Sequence, residues 1–194
     1  METLEQKIEN LKAHHQTNTD KYLVYLDEHI GNVKLVWERL QPLLENEYWL
    51  DDYNYFSINE IIKHHDESKY NGDEFFPYLW NFYPAPEGTE VNKQGYMFNK
   101  AWNLHQKSNK HHWQYWVMIE DSGEQIVLDM PFFFIIELLC DWTAMSIKFK
   151  NKPSEWYGKN KDKMILHEKT ISCIEHWMPL FDSVYSQKLN ESEA

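Results

Sequence analysis

The chain has 194 residues, 42% hydrophobic and 16% aromatic, with 19 basic and 31 acidic side chains and a formal charge of −12. That length fits one domain with one substantial core, and the hydrophobic share excludes a disordered polymer. The acidic balance excludes broad binding to nucleic-acid backbones, which takes clustered Lys and Arg, but not a small anionic substrate whose charge a bound cation offsets. Leu4, Ile8, Leu11 and His15 recur at helical spacing over residues 1–16. Thr19 or Asp20 is placed to cap a second helix with the stripe Tyr22, Leu26, Val33, Val36 and Leu40, stopped near Pro42. His29 falls inside that stripe. Residues 42–56 are acidic and aromatic and read as irregular. Ser57, with Glu60 three residues on, predicts a capped helix through Ile58, Ile61 and Ile62 that reaches His65 and Asp66. A short helix follows over 73–80. Residues 81–95 hold Pro84, Pro86, Gly88 and Gly95 and read as a loop of lid length.

Helices are expected over 96–106, ending near His105, and over 111–118, begun by Asn109. Asp121 opens a turn, and 124–129 carries weak strand potential. Pro131 sits at the start of a helix from Phe132 to Phe149 that is apolar almost all round, the pattern of a central buried element. Residues 151–161 read as a polar loop and 162–182 as the last helix, with the chain fraying from Gln187. The fold class is all-α: a single-domain helical bundle over 1–186 with a flexible tail over 187–194. Cys140 and Cys173 are too few for a disulfide scaffold and read as core thiols in a reducing compartment. The N-terminus lacks an apolar signal core, and the most apolar stretch, Met130–Cys140, is too short to span a bilayer. A soluble, cytoplasmic protein with no membrane partner is expected.

The chain has ten histidines, and five of them fall in two tight groups. One group is His64-His65-Asp66, with Lys69 downstream. The other is His105, His111 and His112. Imidazole and carboxylate together ligate Zn, Fe, Mn and similar divalent ions. His14 and His15 read as exposed helix-end residues, and His167 and His176 as half-buried packing residues. Glu137 and Asp141 lie four apart on the apolar helix and share a face. Buried carboxylates need cations or strong donors, so this face calls for a histidine-bound metal, Lys69 or Arg39.

In chain order the candidates are His29, His65-Asp66, His105, His111-His112 and Asp141. This order resembles the HD-domain superfamily, an α-helical fold with His…His-Asp…Asp metal ligands. The string His65-Asp66-Glu67-Ser68-Lys69 looks like its HD-x-x-K segment. The strings Asn109–Trp116 and Cys140-Asp141-Trp142 are similar to a small group of uncharacterised phage and bacterial proteins. The resemblance spans about residues 20–150 and implies an HD-type helical fold. It implies that His29, His65, Asp66 and Asp141 hold a first divalent ion. Asp66 would bridge to a second ion held by His105 and by one or both of His111 and His112. The ions would be Mn, Fe or another transition metal. The resemblance further implies hydrolysis of a small phosphorylated or nucleotide-like substrate by metal-activated water, with Lys69 holding a phosphate oxygen or orienting the water. The same ligand set serves di-iron oxygenases, and a binding protein with a structural metal is the third reading. With Arg39 the only arginine, candidate helpers for the phosphate are Lys69, Lys107 and Lys110. Trp113, Tyr115 and Trp116 fit core packing better than base stacking.

Overall fold

The computed structural model describes residues 4–44, 52–83 and 95–192. Among these the elements are α1 (Leu4–Leu40), α2 (Asp52–Lys63), α3 (Gly72–Phe82), α4 (Gly95–Ser108), β1 (Val117–Ile119), β2 (Gln125–Val127), α5 (Phe132–Phe149), α6 (Pro153–Asn160) and α7 (Glu168–Ser192), with short 3₁₀ turns between some of them. The fold is all-α apart from one small antiparallel hairpin, in which Met118 pairs with Ile126. No described helix is long and apolar enough to cross a membrane. The side chains of Leu4, Ile8 and Leu11, residues 45–51 of the irregular stretch, the loop over 84–94 and the last two residues lie outside the described residues.

The chain forms two compact units, one from residues 1–28 and 67–105, the other from 29–66 and 106–194. In the first, Tyr22 and Leu26 of α1 are buried with Tyr78 and Leu79 of α3 and Ala101 of α4. The rings of Tyr22 and Phe75 lie 5.1 Å apart and tilted, and those of Tyr78 and Phe98 lie 5.2 Å apart and edge-on, as aromatic quadrupoles prefer.

In the second unit α5 is the central element. It packs against α2, α6 and α7. Ile136, Leu138, Leu139 and Cys140 of α5 are buried with Val33, Val36 and Leu40 of α1, Ile58 and Ile62 of α2, and Ile174 and Phe181 of α7. Trp113 and Trp116 pack against this core, and Trp116 Nε1 donates to the Lys110 carbonyl at 2.8 Å. Cys140 and Cys173 are free thiols, and burial pushes that of Cys140 well up.

Several elements differ from their sequence expectation, each for a local reason. The break expected near residue 17 is absent, and α1 runs on as one helix. Thr17 and Thr19 do not cap. Their hydroxyls donate back to the carbonyls of Ala13 and His15, and Asn18 donates to the Tyr83 carbonyl. The helix expected from Ser57 begins five residues earlier, at Asp52. The helix expected over 111–118 is a turn, a 3₁₀ segment (Trp113–Trp116) and then β1. Lys107 Nζ holds that segment by donating to the carbonyls of Gln114 and Val117. Residues 153–160, expected as loop, form α6. Pro153 occupies the first turn, and Ser154 donates through its backbone and hydroxyl to Asp182 of α7, a tertiary substitute for a local cap. The last helix begins at Glu168 and continues through Gln187 to Ser192.

Candidate metal centre

The second unit gathers His29, His65, Asp66, His111, His112 and Asp141 with Glu137. Each arrives by a different local device. His29 occupies a core position of α1, one turn before Val33, and is 4% exposed. His65 and Asp66 follow the last turn of α2, where the backbone amides of His64 and His65 donate to the carbonyls of Ile61 and Ile62. Asp66 then adopts φ +57, the left-handed conformation that commonly ends helices. The Asp66 carboxylate is buried, 2% exposed, and the 3₁₀ segment Glu67–Tyr70 follows in the chain. His111 and His112 lie in the turn closed by the His112 amide on the Asn109 carbonyl. Glu137 and Asp141 project from α5 one turn apart.

Four side chains converge. His29 Nε2 lies 3.3 Å from Asp66 Oδ2 and 3.2 Å from Asp141 Oδ1. His65 Nε2 lies 3.6 Å from Asp66 Oδ2 and 3.8 Å from Asp141 Oδ1. Two ligand atoms about 2.0–2.1 Å from one tetrahedral ion stand about 3.3 Å apart, so each histidine–carboxylate separation fits a shared cation with small adjustments, and one ligand atom each of His29, His65 and Asp66 lies within 4.8 Å of the other two. His65 adds a second observation. Its Nδ1 donates to Glu137 Oε1 at 2.8 Å, while its buried Nε2 has no hydrogen-bond partner among the described residues. A ring held at one nitrogen with the other aimed at two carboxylates is the posture of a histidine ligand with its supporting acceptor. On the other oxygen of Asp66, His111 Nε2 stands 3.6 Å from Oδ1, and the His112 ring lies 4.3 Å from the His111 ring. Asp66, His111 and His112 belong to one group of donor atoms within 4.8 Å of one another.

The electrostatics follow the geometry. Burial works against the charge of Asp141, but the His29 hydrogen bond and the charges of His29, His65 and His111 outweigh it and hold the carboxyl well below its usual range. Burial likewise opposes ionisation of Glu137, and His111 and His65 overcome it, so its pKa is lowered. Burial disfavours the charged His111 ring, but Glu137, Asp66 and Asp141 raise its pKa. Asp141 is the most exposed of the four converging side chains, at 15% against 3% or less for the others.

His105 and Lys69 belong to the other unit and are described there. His105 is fully buried, donates from Nδ1 to Glu74 Oε2 at 2.7 Å and stacks on Trp102. Ser68 Oγ donates to the same Glu74 oxygen at 3.0 Å. The helix expected to reach His65 and Asp66 ends at Lys63. Lys69 stands in the following 3₁₀ segment with its ammonium 5.9 Å from the centre of the Tyr78 ring. Lys107 is engaged with main-chain carbonyls, and Lys110 lies 5.2 Å from the Phe134 ring centre. His64 is exposed and stands 3.8 Å from Glu60.

Glu137 and Glu74 were not among the expected site residues. Glu137 had a signal, its position on the Asp141 face. Glu74 had none, since 31 residues separate it from the histidine that it holds.

All of these side chains lie between residues 29 and 141, and a family model matches residues 18–179. The chain belongs to the family of unknown function DUF5662. No curated protein and no solved structure matches it. The DUF5662 match therefore takes in the whole candidate centre but brings no activity with it.

Proposed function

We propose that this DUF5662 chain is a metal-dependent phosphohydrolase of HD-domain type, acting on a nucleotide or another small phosphoester. The reading is carried by the four histidine–carboxylate separations of 3.2–3.8 Å that link His29 Nε2 and His65 Nε2 to Asp66 Oδ2 and Asp141 Oδ1, with His29, His65 and Asp66 near enough to one another to hold one ion. These four side chains would hold a divalent transition ion. Asp66 Oδ1, with His111 and His112, offers donors for a second. Bound there, such ions supply Lewis acidity, lower the pKa of a coordinated water and offset charge on a phosphoryl group. Burial of His29, His65 and Asp66 shuts bulk water out of most of the centre, and the greater exposure of Asp141 leaves an approach on its side. In a chain of charge −12, ions at this centre also supply the local positive charge that a phosphate needs.

The test begins with elemental analysis of purified protein, followed by an anaerobic screen of nucleotides and phosphomonoesters with Mn²⁺. Phosphate release without oxygen supports the proposal. Turnover that requires both iron and oxygen replaces it with an oxygenase of the same ligand set. Tight metal binding without turnover in either screen leaves a binding protein with a structural ion.

A further inference from the structure

We infer that Glu137 is a shared positioning residue, which fixes one imidazole at each of the two cation positions, so that both depend on one side chain. The inference rests on the metal-centre reading above, but its geometry is its own. Glu137 Oε1 accepts from His65 Nδ1 at 2.8 Å, and the same oxygen lies 3.0 Å from His111 Nδ1, to which Glu137 is also hydrogen-bonded. A carboxylate only accepts, so both rings must carry a proton on Nδ1. Both Nε2 atoms are then left as the ligating nitrogens. They face the two oxygens of one carboxylate: His65 Nε2 stands 3.6 Å from Asp66 Oδ2, and His111 Nε2 3.6 Å from Asp66 Oδ1. The four side chains form a closed circuit from Glu137 through His65 to Asp66 and back through His111. The two imidazole rings lie 4.4 Å apart, so neither turns without disturbing the other.

An acceptor behind a histidine ligand sets its tautomer and direction, and its loss typically costs 10–100-fold in metal affinity. Here one oxygen serves two such rings, on opposite sides of Asp66. Removing Glu137 should therefore weaken both cations together, whereas removing His111 should weaken only one.

Two measurements test this. In metal-free wild-type protein labelled with ¹⁵N-histidine, long-range nitrogen–proton spectra near pH 8 should show His65 and His111 in the Nδ1–H tautomer. Mn²⁺ titration followed by paramagnetic resonance should then give two ions per wild-type chain. Glu137→Ala should lower the affinity for both by about 10–100-fold each. Glu137→Gln keeps an acceptor oxygen and should fall between the two, which covers the case in which the alanine variant does not fold. His111→Ala should retain one ion near wild-type affinity. Wild-type tautomers and affinities in both Glu137 variants would overturn the inference and leave the metal reading standing. A wild-type chain that binds no divalent ion would overturn both.

Discussion

Asp66 combines two demands that seldom meet in one residue. Its backbone is left-handed at φ +57, and its carboxylate is buried between two imidazoles. The left-handed conformation costs an ordinary residue about 1–2 kcal/mol, whereas Asn and Asp tolerate it better. Substitutions can therefore separate backbone from charge. Asp66→Asn should keep the turn, so the metal-free variant should melt close to wild type while its bound metal falls sharply. Asp66→Ala should lose both, with an added destabilisation of about 1–2 kcal/mol from the turn. Thermal melts with metal analysis check this, and full metal content in either variant would remove Asp66 from the centre. Protons compete for the same residues. Asp141 and Glu137 titrate below their ordinary values when folded, so their stabilisation is present above about 4.5 and is lost as pH falls through the lowered values. His111 titrates above its ordinary 6.5, so its contribution is complete below 6.5 and is lost as pH rises through the raised value. The metal-free chain should thus be most stable between about pH 4.5 and 6.5, with a melting temperature that declines toward pH 8. Added Mn²⁺ should stabilise more as pH rises, because the ion no longer competes with a proton on His111. A flat melting profile without metal over pH 6–8 would contradict the role given to His111.

α5 holds two jobs on different faces. Leu139 belongs to the apolar core and is fully buried, while Glu137 and Asp141 face the histidines. Leu139→Ala should cost about 2–5 kcal/mol of stability, read as a lowered denaturation midpoint, with metal per folded chain unchanged. If that variant loses metal while still folded, core and centre are not separable at this position. This helix was legible in the sequence because a helical segment apolar almost all round, opened by Pro131, fits only a buried central place. Asp141 and Glu137 were noticed because carboxylates on such a run need partners. The segment after His105 was misread for an equally physical reason. Asn109 followed by aromatics suits a helix start, but Lys107 bonding to the carbonyls of Gln114 and Val117 and the pairing of Val117 with Val127 favour a 3₁₀ segment leading into a strand. α6 was missed because Asp182, which anchors its first turn, lies 28 residues downstream.

At the scale of the molecule, the centre ties together segments around residues 29, 65, 111 and 141 that an unfolded chain keeps apart. An ion that binds only the folded form stabilises it by mass action, by about 2.7 kcal/mol at a hundredfold excess over its dissociation constant. A melting temperature that rises with Mn²⁺ and returns with a chelator is the expected result. Amide-exchange protection on metal binding should concentrate over residues 58–66, 109–113 and 135–143. Unchanged exchange there would speak against an ion bound by these residues. That His29, His65, Asp66 and Asp141 come close together was expected from their order along the chain, which resembles a known ligand pattern. The contacts of Glu137 with His65 and His111 were not expected, because hydrogen bonds between a helix and two distant histidines leave no spacing to read. The position of His29 also sets limits on how the chain can change in length. It shares its stripe with Val33, Val36 and Leu40, all fully buried. Each added residue turns the rest of a helix by about 100°. One insertion between His29 and Val33 would swing the imidazole toward the solvent face that carries Lys34 and Glu38. Related chains should therefore gain and lose residues in the hairpin turn near Gly123 or between α5 and α6, but never within the eleven positions from His29 to Arg39.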